Sequence, residues 1–240
     1  MRKFSMQLVD HVTNVSISAS GGVAYVAEAG GAAKVTLYDA NGAALSNPVA
    51  LTRGHIEFYT ADSVSTVDLY ISAPSGHFLV TKGVQSSGPN SLYIDKGRTD
   101  TVMVIPFSKD DTTAATETDT GFDVPTNGAV LPMGMSAEIL TVDSGITVDL
   151  GTLSTSSGDA DGFIDGISAA NAGIVKATLA NGSVTLGALL KVQDSANAGD
   201  AVPEANVSMS GKSITYTLSA GADTAEGFFK IPVQLSYAAN

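Results

Sequence analysis

HIEFYTADSVSTVDLYIS, residues 55–72, holds two runs in which apolar residues recur at every second position. In the first run Ile56 and Phe58 fall on one face, with His55, Glu57 and Tyr59 on the other. In the second, Val67, Leu69 and Ile71 stand opposite Thr66, Asp68 and Tyr70. A period of two belongs to extended chain, because successive side chains of a strand point to opposite sides. Each run is therefore a strand with one face in a core.

The same pattern continues outward. AKVTLYDANGAAL alternates at Val35 and Leu37 and then reaches Asn41-Gly42, a dipeptide suited to the positive φ of a hairpin turn. HFLVTK and TVMVIPF follow, the latter apolar on both faces as expected of a covered central strand. Beyond residue 124, SAEILTV and GITVDLGTL are strands. SVTLGALLKV has an inward set of Val184, Leu186, Ala188, Leu190 and Val192, and KSITYTLS one of Ile214, Tyr216 and Leu218. FFKIPVQLSY closes the series, with Pro232 pointing to an edge position or a bulge. Asn181-Gly182 and Ser210-Gly211 supply further turns. One stretch, residues 161–173, has the spacing of a short helix, with Asp161 as its cap and Phe163, Ile164 and Ile167 docking it.

Composition supports an all-β chain. Its 240 residues include 25 glycines and few long helix-forming side chains, with 44% hydrophobic and 15% charged residues. KDDTTAATETDTGFD, residues 109–123, is small, polar and acidic apart from Phe122, and reads as a linker. The expected organisation is a β-sandwich over 1–108, immunoglobulin-like in strand count, and an acidic sandwich or jelly-roll-like domain over 124–240.

Charge and cysteine content narrow the chemistry. Residues 1–110 hold 8 Lys and Arg against 9 Asp and Glu, and residues 111–240 hold 4 against 15. Such a surface repels nucleic acid and anionic lipid, so neither is expected as a partner. No cysteine is present, which removes disulfides, thiolate metal sites and a cysteine nucleophile. The opening MRKFSMQLVDHV lacks a signal-peptide core, and no stretch has membrane-span length.

GDADGFIDGIS, residues 158–168, places Asp159, Asp161 and Asp165 around two glycines in the manner of a calcium loop. Counted from Asp159, the fifth position is Phe163 and the twelfth Ala170, where the helix–loop–helix calcium motif needs oxygen ligands. The three aspartates are thus weak metal candidates, with a cap and turn as the expected role. His11, His55 and His77 lack the spacing of a metal pair, and His55 and His77 are expected to be solvated. Neither a nucleophile elbow nor a phosphate loop is found, so no catalytic residue, cofactor or enzymatic activity is expected. Arg2, Lys3 and Phe4 form the one local basic feature, an arm that could order against a partner.

The segment VTLYDANGAALSNPVALTRGHIEFYTADSVSTVDLYI, residues 35–71, resembles small β domains of tailed-phage virion proteins, where a strand ending in a YDANG turn precedes an FYTAD stretch and TVDLYI. Residues 148–190, VDLGTLSTSSGDADGFIDGISAANAGIVKATLANGSVTLGALL, are similar to phage structural proteins encoded close to the major capsid gene. The two segments cover about a third of the chain. The resemblance implies a virion component assembled in the host cytoplasm: a capsid decoration or head-cement protein, commonly trimeric, whose partner is the major capsid protein, with the nearly neutral first part and its arm Arg2, Lys3 and Phe4 expected to contact the shell and the acidic part to face solvent. The rival expectation is a receptor- or glycan-binding head-fibre or tail protein using the loop at 195–206; a carbohydrate-active β-sandwich enzyme stands third.

Overall fold

A computed structural model of the chain describes residues 1–10, 13, 15–17, 21–73, 76–86, 91–94, 100–108, 115–180, 183–193, 201–203, 209–219 and 224–236. The described chain is all-β, and it divides into two compact units, Met1–Thr99 and Asp100–Asn240.

The first unit contains β1 (Arg2–Asp10), β2 (Val23–Glu28), β3 (Leu37–Tyr38), β4 (Ala44–Leu45), β5 (Val49–Ala50), β6 (His55–Thr60), β7 (Thr66–Ser72), β8 (Phe78–Gln85) and β9 (Ser91–Ile94). These form two sheets, ordered β4-β3-β6-β1-β9 and β5-β2-β7-β8. All pairings are antiparallel except β1 with β9, which is parallel. The sheets face each other across one cluster. Phe4, Met6 and Leu8 of β1 and Ile56 and Phe58 of β6 meet Val26, Val67, Leu69 and Ile71, with Phe4 stacked on Phe58 at 5.0 Å. The 55–72 segment that opens the sequence reading crosses from one sheet to the other, and its alternating apolar set fills the space between them.

Its second strand is buried on both faces, where alternation suggested one. Asp68 and Tyr70, opposite the core set, are both buried. Tyr70 packs edge-on against Tyr25 at 6.3 Å, and the Tyr25 hydroxyl donates to the Ala32 carbonyl at 2.6 Å. Asp68 accepts the Gly30 N–H at 3.0 Å and the Gly83 N–H at 2.7 Å. The carboxylate thereby ties the turn after β2 to the irregularity that shifts register between β7 and β8. At the expected hairpin, the Asp39 carboxylate accepts the N–H groups of Asn41 and Ala43, and Gly42 takes φ +82°. The loop is thus five residues long, between the pairs Tyr38–Ala44 and Leu37–Leu45.

The second unit contains β10 (Asp100–Ser108), β11 (Thr118–Asp123), β12 (Gly128–Val130), β13 (Ser136–Thr141), β14 (Thr147–Thr152), β15 (Ile164–Ser168), β16 (Gly173–Lys176), β17 (Leu179–Ala180), β18 (Ser183–Val184), β19 (Lys191–Gln193), β20 (Ala201–Pro203), β21 (Ser213–Leu218) and β22 (Glu226–Leu235). One sheet runs β10-β22-β13-β16 with β12 also on β22, and a second runs β11-β21-β14-β15. The hairpins β17–β18 and β19–β20 stand apart. Phe107 of β10, Phe229 of β22 and Tyr216 of β21 lie within 6.2 Å of one another, ring centre to ring centre, and so join the two sheets in one core.

Three expectations fail against this architecture. TVMVIPF belongs to the second unit: Met103, Ile105 and Phe107 face its core, and β10 pairs with β22 over nine positions, so the unit boundary lies at 99/100 rather than near 108. Within the expected linker, residues 109–114 lie outside the described residues, but 118–123 form β11 with Phe122 buried. Glu117 just before it accepts hydrogen bonds from the Ser154 N–H (2.9 Å), the Ser154 hydroxyl (2.5 Å) and the Thr215 hydroxyl (2.8 Å). The short helix is absent too; residues 161–173 contribute β15 and its flanking turns. Ile164 pairs with Leu150 and Ile167 with Val148, so three steps on β15 match two on β14. Gly166 at φ +74° absorbs the extra residue. This bulge places Ile164 and Ile167 on one face and produces the three-residue spacing that imitates a helix.

Pro232 lies in β22, an interior strand of its sheet. It falls between the pairs Ser136–Lys230 and Val130–Val233, where the chain passes from β12 to β13, and its carbonyl accepts the Leu131 N–H at 2.9 Å. The ring's missing N–H therefore falls where β12 has ended and β13 has not begun. SVTLGALLKV is likewise broken, into β18, a 3₁₀ turn at Ala188–Leu190 and β19.

Candidate functional site

The acid-rich segment 158–168 is positioned by backbone packing without side-chain spacers. Gly151, Gly158, Gly162 and Gly187 each lie where a Cβ would come within 2.6 Å of another residue's atoms. At Gly187 those atoms are the Asp161 carbonyl and the carbon and oxygen of Gly162, at 2.2–2.4 Å. The hydrogen bonds Gly187 N–H to Phe163 O, Leu189 N–H to Gly162 O and Asp165 N–H to Thr185 O dock the segment onto residues 185–190. Gly158 and Gly162 are therefore packing residues and Gly166 serves the bulge, which explains the density of glycine better than ion binding does.

The segment brings its carboxylates together with a fourth, Asp149 of β14, which the sequence reading missed. Asp149 accepts the Gly166 N–H at 2.6 Å. Burial pushes its carboxyl above the ordinary range; the Gly166 bond opposes this, while the charges of Asp165 and Asp161 add to it. Asp159 is pushed up to about 6, first by a hydrogen bond shared with the Asp161 side chain, then by burial and the neighbouring charge. Like charges this close favour retention of a proton between them. Among the described residues no group of three or more His, Asp or Glu side chains could hold a metal ion. The arrangement can share a proton. Asp161 sits in a turn between strands rather than at a helix cap.

At the N-terminus the structure replaces the expected arm with a strand. Phe4 is a core residue stacked on Phe58. Lys3 pairs with Glu57 at 2.9 Å and lies over the Tyr59 ring, and the Arg2 Nε donates to the Asp62 carbonyl at 2.7 Å. The reason is register: Phe4 and Met6 share the alternation of Ile56 and Phe58, which outweighs fraying at the end. Of the histidines, His55 is half-buried with Nε2 3.1 Å from the Ser5 hydroxyl, whereas His77 is buried and departs from the solvated state expected of it. His11 lies outside the described residues, as does most of the 195–206 loop.

A feature without any signal in the sequence pattern is the distribution of exposed apolar side chains. Val102 on β10, Ile174 on β16, Leu140 at the irregularity ending β13, and Val142 after it are all exposed. Val102 and Ile174 lie on the outer face of the sheet β10-β22-β13-β16, opposite the inward Met103 and Ala137. At the other end of β16, Met133 is 74% exposed beside a groove of about 350 Å³.

No family model matches the chain. No curated protein matches it either. Two solved structures of BcpA, the major pilin subunit of Bacillus cereus, are similar at 10% identity, with TM-scores of 0.18 and 0.17. The alignments cover 100% of this chain and 60% of the pilin, so the chain spans well under two thirds of that protein's length.

Proposed function

We propose that this chain is a structural component of a tailed-phage virion, decorating and bracing the capsid through multivalent surface contacts. The observation that carries the reading is the set of exposed aliphatic side chains Leu140, Val142 and Ile174 at the β13–β16 margin of one sheet, with Val102 exposed at its opposite edge. Single exposed apolar residues are ordinary; a group of them on one face of a packed sandwich is the mark of a contact surface. The resemblance at residues 35–71 and 148–190 supplies the kind of assembly.

Charge fits such a role. Residues 1–99 hold seven basic and seven acidic side chains, and residues 100–240 hold five and seventeen, so the whole excess of −12 belongs to the second unit. Aliphatic contacts would provide attraction at each copy. The acidic remainder would keep decorated particles apart. Many copies would multiply a contact of ordinary area into resistance of the whole shell. With the N-terminal strand committed to its own core, the contact surface moves from the first unit to the second.

Co-expression with the major capsid protein of the same genome, followed by sedimentation of the shells, tests the proposal. The wild-type chain should co-sediment, and Ile174→Asp should reduce its occupancy several-fold with an unchanged melting temperature. A wild-type chain left wholly in the supernatant would refute the reading.

A further inference from the structure

The groove at the end of β16 carries chemistry of its own. Pro132, Met133 and Met135 form one wall, Ala177 and Leu186 continue it, and Lys176 stands at the rim. The volume, about 350 Å³, lies at the lower end of the range for small-ligand pockets. The floor is fixed by backbone bonds, Ala177 N–H to Met135 O and the Thr185 and Leu186 N–H groups to Thr178 O. Met133, which is 74% exposed, gives the groove a flexible, polarisable side chain that adapts to an alkyl chain, while Met135 is buried.

Lys176 differs from Lys212 and Lys230 in what its side chain touches. Of the lysines of the second unit, Lys230 pairs with Glu138 at 2.8 Å, and Lys212 donates to the Ser156 carbonyl. Lys176 has no ion pair or hydrogen bond among the described residues, although its unit holds seventeen acidic side chains. A cation unpaired in so acidic a unit, next to an apolar trough, marks the place where an anionic head with an apolar tail is complementary. The long-range repulsion of the unit's net charge is screened beyond about 8 Å at physiological ionic strength, so the nearest charge decides.

We propose that this groove binds a linear aliphatic carboxylate, its alkyl chain lying along Met133 and Ala177 above the buried Met135 and Leu186, and its carboxylate meeting the Lys176 ammonium. The site is independent of the capsid-contact reading, and the test needs no particle.

Sodium octanoate is titrated into the full chain labelled with ¹³C at the methionine methyls, with octylammonium and butanoate as companions and Met133→Ser used to assign signals. Octanoate should move the Met133 and Met135 signals saturably. Lys176→Met should weaken octanoate by about tenfold, the scale of one charge-assisted contact. Butanoate should be at least about tenfold weaker, since each buried methylene is worth roughly fourfold. Raising the salt should weaken octanoate in the wild type and leave the Lys176→Met variant unchanged. Absence of any shift with octanoate, equal shifts with octylammonium, or undiminished affinity in Lys176→Met would each overturn the proposal.

Discussion

Asp159 and Glu117 respond to pH in opposite senses, and the sign of each follows from its surroundings. The Asp159 carboxyl, raised to about 6 by the shared hydrogen bond with Asp161, holds its proton more tightly folded than unfolded. Its contribution to stability is complete below the ordinary value of 3.8 and is lost as pH climbs through about 6. For Glu117, burial works against ionisation, but the hydrogen bonds from Ser154 and Thr215 outweigh it and hold the group below its ordinary value. Its contribution is present at neutral pH and fades on acidification. Melting curves between about pH 4 and about pH 7 should therefore change in Asp161→Asn, with the decline above about pH 4 reduced to what the buried Asp149 contributes and the acid-side loss retained. A curve identical to wild type would show that Asp159 titrates alone. Asp68 has a larger structural role, because its buried carboxylate accepts the Gly30 and Gly83 N–H groups and its removal unties both turns. Asp68→Ala should lower the unfolding free energy by about 2–3 kcal/mol in urea titrations, the scale of two bonds to a charged acceptor.

Among the elements, β15 and β22 mark what alternation could and could not tell. Strands with a clean period of two, such as His55–Thr60 and Ser213–Leu218, appear where the sequence places them. Irregular ones do not. A bulge at Gly166 converts period two into apparent period three, and a gap between β12 and β13 admits Pro232 to an interior strand; both depend on the partner strand, which local sequence does not identify. The candidate site was legible only in part for the same reason. Asp159, Asp161 and Asp165 stand out as a cluster in the chain, whereas Asp149 joins them through pairing of β14 with β15. The glycines of this region give an element-level prediction. Gly187→Ala would drive a methyl into the Asp161 carbonyl and the Gly162 backbone, neither of which can rotate away. The melting temperature of this variant should fall by several degrees, equivalent to about 2 kcal/mol or more, while Gly145→Ala, with open space around its Cβ position, should suffer only the milder cost of its φ of +91°.

For the molecule as a whole, the division at 99/100 has a direct test. A fragment of residues 100–240 retains the nine-position pairing of β10 with β22 and should unfold in one cooperative transition. A fragment of residues 109–240, cut where composition changes most sharply, lacks Met103, Ile105 and Phe107 and exposes the inner set of β22. It should be recovered in aggregates or give no sigmoidal melt; a well-folded soluble 109–240 fragment would move the boundary back. Composition located the charge break correctly but misplaced the structural one, because the acidic run that begins at residue 110 follows a strand already paired with the chain's last strand.

That pairing also fixes an order of events during synthesis. β10 leaves the ribosome about 120 residues before β22, its principal partner, so at translation speeds of roughly 5–20 residues per second the strand waits several seconds or longer with its apolar side uncovered. The nascent second unit is thus obliged to fold late and all at once, and its earliest strand is the segment most in need of protection by the cell.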